Sequence, residues 1–111
     1  MLKFDFEDLS IENDKKWSVV YTDRNVQAVV LNIDPAKTVP MEKHKGTQII
    51  TCVSGFGKIL VDSTKFSLDK RKTVFVPPET NHEIINSSDV RSLKLYTIYS
   101  PPVHSQIESE D

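Results

Sequence analysis

Two short groups of polar residues have the side-chain types of a metal site. Glu42, His44 and Gln48 lie around one predicted turn, and His82 and Asn86 lie further along the chain. Glu42 and His44 are two residues apart, so on an extended strand their side chains point to the same face, and His82 and Asn86, four apart, also share a face. Imidazole nitrogen and carboxylate oxygen are ligands of zinc, iron, manganese and nickel. The two groups predict one divalent-metal site if a β scaffold brings them together.

The rest of the sequence has the pattern of a strand-rich protein. Short segments rich in β-branched and aromatic residues alternate with turn-forming residues, at the regular spacing typical of a sandwich or barrel. The predicted strands are 17–22, 26–33, 48–53, 58–61, 73–76, 83–85 and 93–99. Residues 2–14 are predicted to hold one helical turn or an arm, and their alternation favours pairing as a strand.

Strand alternation then assigns side chains to the interior. With Gln48 facing inward, Ile50 and Cys52 face inward too, and Cys52 is interpreted as a small core hydrophobe rather than a pocket neighbour. In the last strand Lys94 is the residue least suited to burial, which turns Tyr99 inward. The Tyr99 hydroxyl is then available to a ligand, unless the ring is an aromatic of the rim.

The spacing of both polar groups resembles the motifs of the cupin family. Glu42-x-His44, three residues, Gln48, six residues and Gly55 are in register with the first motif, and residues 77–86 are similar to the second. The ending Leu-Tyr-Thr-Ile-Tyr-Ser-Pro-Pro-Val-His at 95–104 resembles small single-domain cupins of the mannose-6-phosphate isomerase-like, RmlC-like subgroup. The resemblance implies an all-β fold, an antiparallel double-stranded β-helix or jelly-roll barrel.

This resemblance also implies the limits of the domain and the residues of its site. One cupin domain is expected over 1–111, with the barrel at about 13–104 and a flexible acidic tail at 105–111. His104 lies beyond two prolines and is interpreted as solvated, although the family-like ending leaves room for it to fold back. The implied ligands of a zinc, manganese, iron or nickel ion are Glu42, His44, Gln48 and His82. The expected pocket lining is Gln27, Ile50, Cys52 and Asn86, of which Asn86 is expected to brace its loop by hydrogen bonding.

Three positions depart from the family pattern. Ala36, Arg71 and Glu79 stand where cupins usually have glycine, and only three glycines remain in the chain. Turns that tolerate a positive φ are therefore expected to be rebuilt around residues with side chains.

Three classes of function fit these residues. The first is a metal-dependent enzyme acting on a small oxygenated molecule, with sugar isomerase or lyase chemistry and Tyr99 or Glu42 as catalytic candidates, and with His104 as a further candidate for the base. The second is a metal-dependent dioxygenase, because two histidines and one carboxylate are also the ligand set of non-haem Fe(II) oxygenases. The third is a non-catalytic module that binds a small ligand. A phosphate-bearing substrate is disfavoured, because no inward cation is found among Arg24, Lys43, Lys58 and Arg71.

The composition of the chain restricts its possible binding partners and its expected location. A net charge of −2 over 111 residues, with acids and bases interspersed, argues against nucleic acid. No leader or membrane span is recognisable, so a cytoplasmic location is expected, and the single Cys52 rules out an intrachain disulfide. The predicted outward patch of Val53, Tyr96 and Ile98 favours a homodimer.

Overall fold

The computed structural model of the protein describes residues 2–104 and the backbone of Ser109–Glu110. These residues form one short helix and ten strands. In chain order they are α1 (Phe6–Glu12), β1 (Trp17–Thr22), β2 (Gln27–Ile33), β3 (Thr38–Glu42), β4 (Thr47–Ser54), β5 (Gly57–Val61), β6 (Thr64–Leu68), β7 (Thr73–Val76), β8 (His82–Asn86), β9 (Leu93–Ser100) and β10 (Ser109–Glu110). No helix within this part of the chain is long and apolar enough to cross a membrane.

The strands form two antiparallel sheets. The six-stranded sheet has the order β10-β1-β2-β9-β4-β7, and the four-stranded sheet has the order β3-β8-β5-β6. Inward residues of both sheets build the apolar core, among them Val29, Ile50, Ile59, Ile84 and Leu95. The predicted antiparallel jelly-roll fold is confirmed.

The sequence analysis missed three strands, β3, β6 and β10. The first two lie at the edges of the four-stranded sheet. Pro40 interrupts the strand signal of β3, but an edge strand tolerates proline because one side of its backbone needs no partner. Most of β6 is exposed, so it lacks the apolar alternation by which a strand is recognised.

Alternation in the two central strands follows the prediction. Gln48, Ile50 and Cys52 are each no more than 1 % exposed. In β9, Leu93, Leu95, Thr97 and Tyr99 are buried, whereas the intervening side chains are half-buried.

The N-terminal arm forms the helix α1, so the strand pairing favoured for residues 2–14 is wrong. Asp5 caps the helix by accepting a hydrogen bond from the Asp8 backbone N–H, a local signal that outweighs the weak alternation. The Phe6 ring stacks on Tyr96 with 4.0 Å between ring centroids. The helix therefore covers part of the outer face of the six-stranded sheet.

This contact changes the argument for a dimer. Phe6 covers Tyr96, and Val53 is only 4 % exposed, because the register shifts between Cys52 and Ser54 and interrupts the alternation there. The predicted outward apolar patch is therefore wrong as described, and a homodimer loses its support from it.

The turns that lack glycine are not rebuilt. Ala36, Arg71 and Glu79 keep positive φ angles of 63°, 74° and 57°. For a residue with a Cβ, the left-handed conformation costs about 1–2 kcal/mol. The expectation of altered turns is wrong, because the protein keeps the left-handed conformation.

The last strand, β10, lies in the C-terminal chain. Backbone pairing joins Ser109 and Glu110 to Ser18 and Trp17 of β1. The remainder of the expected flexible tail, 105–108 and 111, lies outside the described residues.

Candidate metal centre

Both sheets bring polar side chains to one end of the barrel. Glu42 ends β3 and pairs directly with His82, the first residue of β8. Gln48 enters from β4 in the opposite sheet. His44 lies after the end of β3, in the connection to β4, so the expectation that one strand carries both Glu42 and His44 is wrong. The two side chains meet all the same, because the connection folds back over the site.

The distances between these side chains suit a metal ion. Glu42 Oε1 lies 3.7 Å from His44 Nε2 and 3.9 Å from His82 Nε2, and one ligand atom from each of the three residues lies within 4.8 Å of the others. Ligand atoms about 2.1 Å from a shared metal are about 3.0–3.5 Å apart. Small side-chain movements therefore bring the three donors to coordination distance.

Three of the atoms that could coordinate a metal ion are buried and have no hydrogen-bond partner among the described residues. They are Nε2 of His44, Nε2 of His82 and Oε1 of Gln48. A buried polar atom left unpaired costs about 1–3 kcal/mol, so such atoms are rare in folded proteins. A cation at this point would pair all three at once.

Hydrogen bonds behind the donors aim them at the site. His82 Nδ1 lies 3.1 Å from the carbonyl oxygen of Thr80. Because a carbonyl only accepts, Nδ1 carries the proton and Nε2 presents its lone pair. Gln48 Nε2 donates to Thr97 Oγ1 at 3.1 Å, which leaves the amide oxygen as the unpaired end of a side chain that lines one cavity with Glu42 and His44.

The charge states also favour a cation. Burial lowers the pKa of His82 below its ordinary value, which keeps the ring neutral and able to coordinate. The interaction with His44 lowers the pKa of the Glu42 carboxyl and outweighs the opposing effect of burial. Glu42 is therefore a carboxylate, and the donor set carries one negative charge.

A cavity of about 320 Å³ adjoins these donors. Its volume lies at the lower end of the range for small-molecule sites. Glu42, His44, Gln48 and Tyr99 line the end at the donor set. The remaining wall is largely apolar or aromatic, with several charged residues, and consists of Lys16, Trp17, Leu31, Asn32, Ile33, Asp34, Lys37, Thr38, Val39, Pro40, Ile84 and His104.

The four residues predicted to line the pocket lie outside this wall. Ile50 and Cys52 belong to the hydrophobic core, as preferred for Cys52. Burial raises the pKa of the Cys52 thiol to about 11, so the thiol stays protonated. Strand alternation identified both as inward, but it does not distinguish the core from the cavity.

Asn86 braces a turn and does not face the cavity. Its Nδ2 donates to the carbonyls of Ile33, Asp34 and Arg91 at 2.8–3.1 Å, and its Oδ1 accepts from the Ser88 N–H. The predicted bracing interaction is present, whereas its place in the pocket lining is wrong.

Gln27 has a structural contact that the sequence did not indicate. It is fully buried and binds the backbone of the C-terminal segment, donating to the His104 carbonyl and accepting from the N–H groups of Val103 and His104. The expected lining role is wrong, because both ends of its amide are committed to the backbone and to Thr22.

Tyr99 lies in the cavity wall, 3 % exposed, with its ring edge-on to His44 at 5.4 Å between centroids. The alternative of a solvated rim aromatic is therefore wrong. Burial first, and then the charge of Glu42, raise the pKa of Tyr99. Its phenol thus keeps its proton and is suited to donate a hydrogen bond rather than to act as a base.

Residues that the sequence analysis placed elsewhere complete the wall. His104, interpreted as solvated, folds back and stacks on Trp17 with 4.0 Å between ring centroids. Lys16 and Lys37 line the same cavity, although neither was counted among the possible substrate-binding cations. Lys16 precedes β1 and Lys37 precedes β3, so strand alternation gave no signal for them. The expectation that no cation faces the ligand is therefore wrong, and the case against a phosphate-bearing substrate loses its basis.

Solved structures of other proteins have the same fold. A Bacillus halodurans protein, BH2720, superimposes with a TM-score of 0.94 at 22 % identity, covering 98 % of this chain and 87 % of that one. An RmlC-like cupin from Shewanella frigidimarina gives a TM-score of 0.71 at 21 % identity, covering 78 % of this chain and 75 % of that one. At these identities the likeness concerns the fold alone.

Sequence relatives are found in distant organisms. An uncharacterized protein of Acanthamoeba polyphaga mimivirus is 33 % identical over 105 residues, covering 86 % of this chain and 62 % of that protein. Another, from Methanocaldococcus jannaschii, is 30 % identical over 73 residues, covering 66 % of this chain and 58 % of that protein. The chain thus spans about three-fifths of the length of these relatives. Residues 29–99 match the cupin domain of the Cupin_2 family, and the chain belongs to that family.

Proposed function

We propose that the protein binds a divalent metal ion through Glu42, His44 and His82, with Gln48 as a fourth donor. The single observation that carries this proposal is the meeting of two buried, unpartnered imidazole nitrogens, those of His44 and His82, with the Glu42 carboxylate. Gln48, whose amide oxygen is also buried and unpartnered, lines the same cavity as Glu42 and His44. Neutral imidazoles, an amide oxygen and one carboxylate leave a divalent ion with about one net positive charge. Such an ion binds hydroxyl, carbonyl or carboxylate oxygen and acts as a Lewis acid.

We further propose that the cavity holds a small oxygenated molecule for isomerase or lyase chemistry. The cavity volume of about 320 Å³ admits a molecule of a few carbon atoms with its oxygen groups. The protonated Tyr99 hydroxyl is placed in the wall to donate a hydrogen bond to an oxygen that gains negative charge.

A second candidate is an Fe(II)-dependent oxygenase. It is favoured by the donor set of two histidines and one carboxylate, and by the Glu42 side chain, which is 43 % exposed and leaves its side of the site open. Nitric oxide added to Fe(II)-loaded protein tests for open coordination positions without knowledge of the substrate. A paramagnetic iron–nitrosyl signal supports this candidate, and its absence from iron-loaded protein contradicts it.

Metal analysis of substituted proteins tests the primary proposal. His44→Ala or His82→Ala should remove nearly all bound metal, because each variant loses one imidazole of the donor set, whereas Glu42→Gln should weaken binding without abolishing it. The third histidine provides a matched control, and His104→Ala should keep its metal. Elemental analysis of protein purified without chelators, followed by zinc and manganese titrations, measures the effect. Full metal retention in His82→Ala would contradict the proposed donor set.

A further inference from the structure

The C-terminal segment forms one wall of the cavity and is fixed there by a buried side chain. Gln27 on β2 has no exposed surface, and its amide makes three hydrogen bonds to the backbone of Val103 and His104, at 2.8–3.1 Å. The residues it joins are 76 and 77 positions apart in the chain. A fully buried amide bound only to one short segment and to Thr22 serves to hold that segment.

The held segment places an imidazole inside the cavity. His104 stacks on Trp17, with 18° between the ring planes, and stands edge-on to Tyr99 at 5.6 Å between centroids. Tyr99 also stands edge-on to His44 at 5.4 Å between centroids, so the same tyrosine ring contacts His104 and one of the candidate metal ligands. His104 and His44 thus face the same cavity from two positions along its wall.

We propose that His104 contacts the bound ligand at the end remote from the metal, and that Gln27 is the positioning residue that holds His104 there. The inference rests on the proposed metal site, because the metal fixes the other end of the ligand. It specifies the ligand class: a small molecule with two oxygen-bearing groups, one for the metal and one for the imidazole. An imidazole N–H donates to a carboxylate, carbonyl or hydroxyl oxygen, and Trp17 supports the ring from behind.

The positioning half is tested by the emission of Trp17, the only tryptophan of the chain. His104→Ala should shift this emission to longer wavelength, because the indole loses the ring that covers one of its faces. Gln27→Met retains side-chain volume but not the three hydrogen bonds, and should give a similar shift although His104 is still present. Val103→Ala is the matched control, since it changes an exposed side chain and leaves the Gln27 bonds to the backbone intact. Unchanged emission in His104→Ala would overturn the proposed placement, and a folded Gln27→Met with wild-type emission would overturn the positioning role.

The ligand half is tested with dicarboxylates from malonate to adipate against acetate, titrated into zinc-loaded protein and followed by calorimetry. One chain length should bind more tightly than acetate, because its second carboxylate reaches His104. This preference should fall about 10- to 100-fold in His104→Ala and in Gln27→Met, as expected for one lost hydrogen bond to a charged group. It should persist in Val103→Ala. Absence of a preference in the wild type, or an equal preference in His104→Ala, would overturn the proposal. Zinc content measured beforehand separates this result from failure of the metal site itself.

Discussion

Replacing Gln48 by glutamate tests whether this side chain faces the metal. Gln48 is 1 % exposed, and its Nε2 donates to Thr97, which leaves Oε1 without a hydrogen-bond partner among the described residues. Glutamate keeps the shape of the side chain, adds a negative charge and gives up the amide donor. The Thr97 hydroxyl can then turn to donate to the new carboxylate, because a hydroxyl is both donor and acceptor.

The magnitude depends on whether metal is present. In metal-free protein a buried carboxylate at position 48 costs about 1–3 kcal/mol, since it loses solvation and is repelled by the partly exposed carboxylate of Glu42. At about 4 °C per kcal/mol for a domain of this size, the melting temperature should fall by about 4–12 °C. In the loaded protein the donor set carries two negative charges. We expect about 10- to 100-fold tighter binding, which corresponds to about 1.4–2.7 kcal/mol.

The two effects have opposite signs, so the metal-induced rise in melting temperature should be larger in Gln48→Glu than in the wild type. Thermal unfolding with and without zinc, together with zinc titration by calorimetry, measures both. Gln48→Met is the matched control, because it loses the bond to Thr97 without adding charge, and should not tighten binding. Unchanged metal affinity combined with unchanged metal-free stability in Gln48→Glu would refute the assignment of Gln48 to the site.

Three further predictions concern stability. Ala36→Gly should raise the free energy of unfolding by about 0.5–1 kcal/mol, because glycine adopts the φ of 63° without steric cost, and a lower melting temperature would contradict this. Asn86→Ala should lower the free energy of unfolding by about 2–3 kcal/mol and leave the metal content unchanged. Loss of metal from the folded variant would show that Asn86 has a direct role in the site. In metal-free protein, stability should rise with pH in the window just below 6.5, the ordinary pKa of His82. There the unfolded chain binds a proton that the folded protein, with its lowered pKa, excludes. Urea unfolding from pH 5 to 7 measures this slope, and His82→Gln should flatten it.

Local sequence patterns were sufficient to predict which way the side chains of strand residues point. Gln48 and His82 follow strand alternation, and the inward direction of one side chain fixes its neighbours two residues away. The N-terminal helix also has a local signal, the N-cap residue Asp5, but the prediction for residues 2–14 relied on their apparent alternation instead.

Other features depend on contacts between distant parts of the chain. His104 enters the cavity because Gln27 binds its backbone across 77 positions, and no pattern around His104 indicates that contact. The edge strands β3 and β6 are equally non-local, since each is a strand through its pairing with a single neighbour. Strand alternation also does not distinguish a core position from a cavity position. Ile50 and Gln48 lie on the same face of β4, but Ile50 belongs to the core and Gln48 lines the cavity.

The arrangement of the donors links metal binding to folding. Glu42 and His82 belong to the four-stranded sheet and Gln48 to the six-stranded sheet, so an ion bound by all three ties the two sheets together at one end of the barrel. Three unpaired buried atoms at about 1–3 kcal/mol each are a large cost for a domain with a typical stability of about 5–15 kcal/mol. A cation that pairs them stabilises the folded state by the same interactions through which it is bound. We therefore expect a bound ion to stabilise the polar end of the barrel more than the rest of the domain.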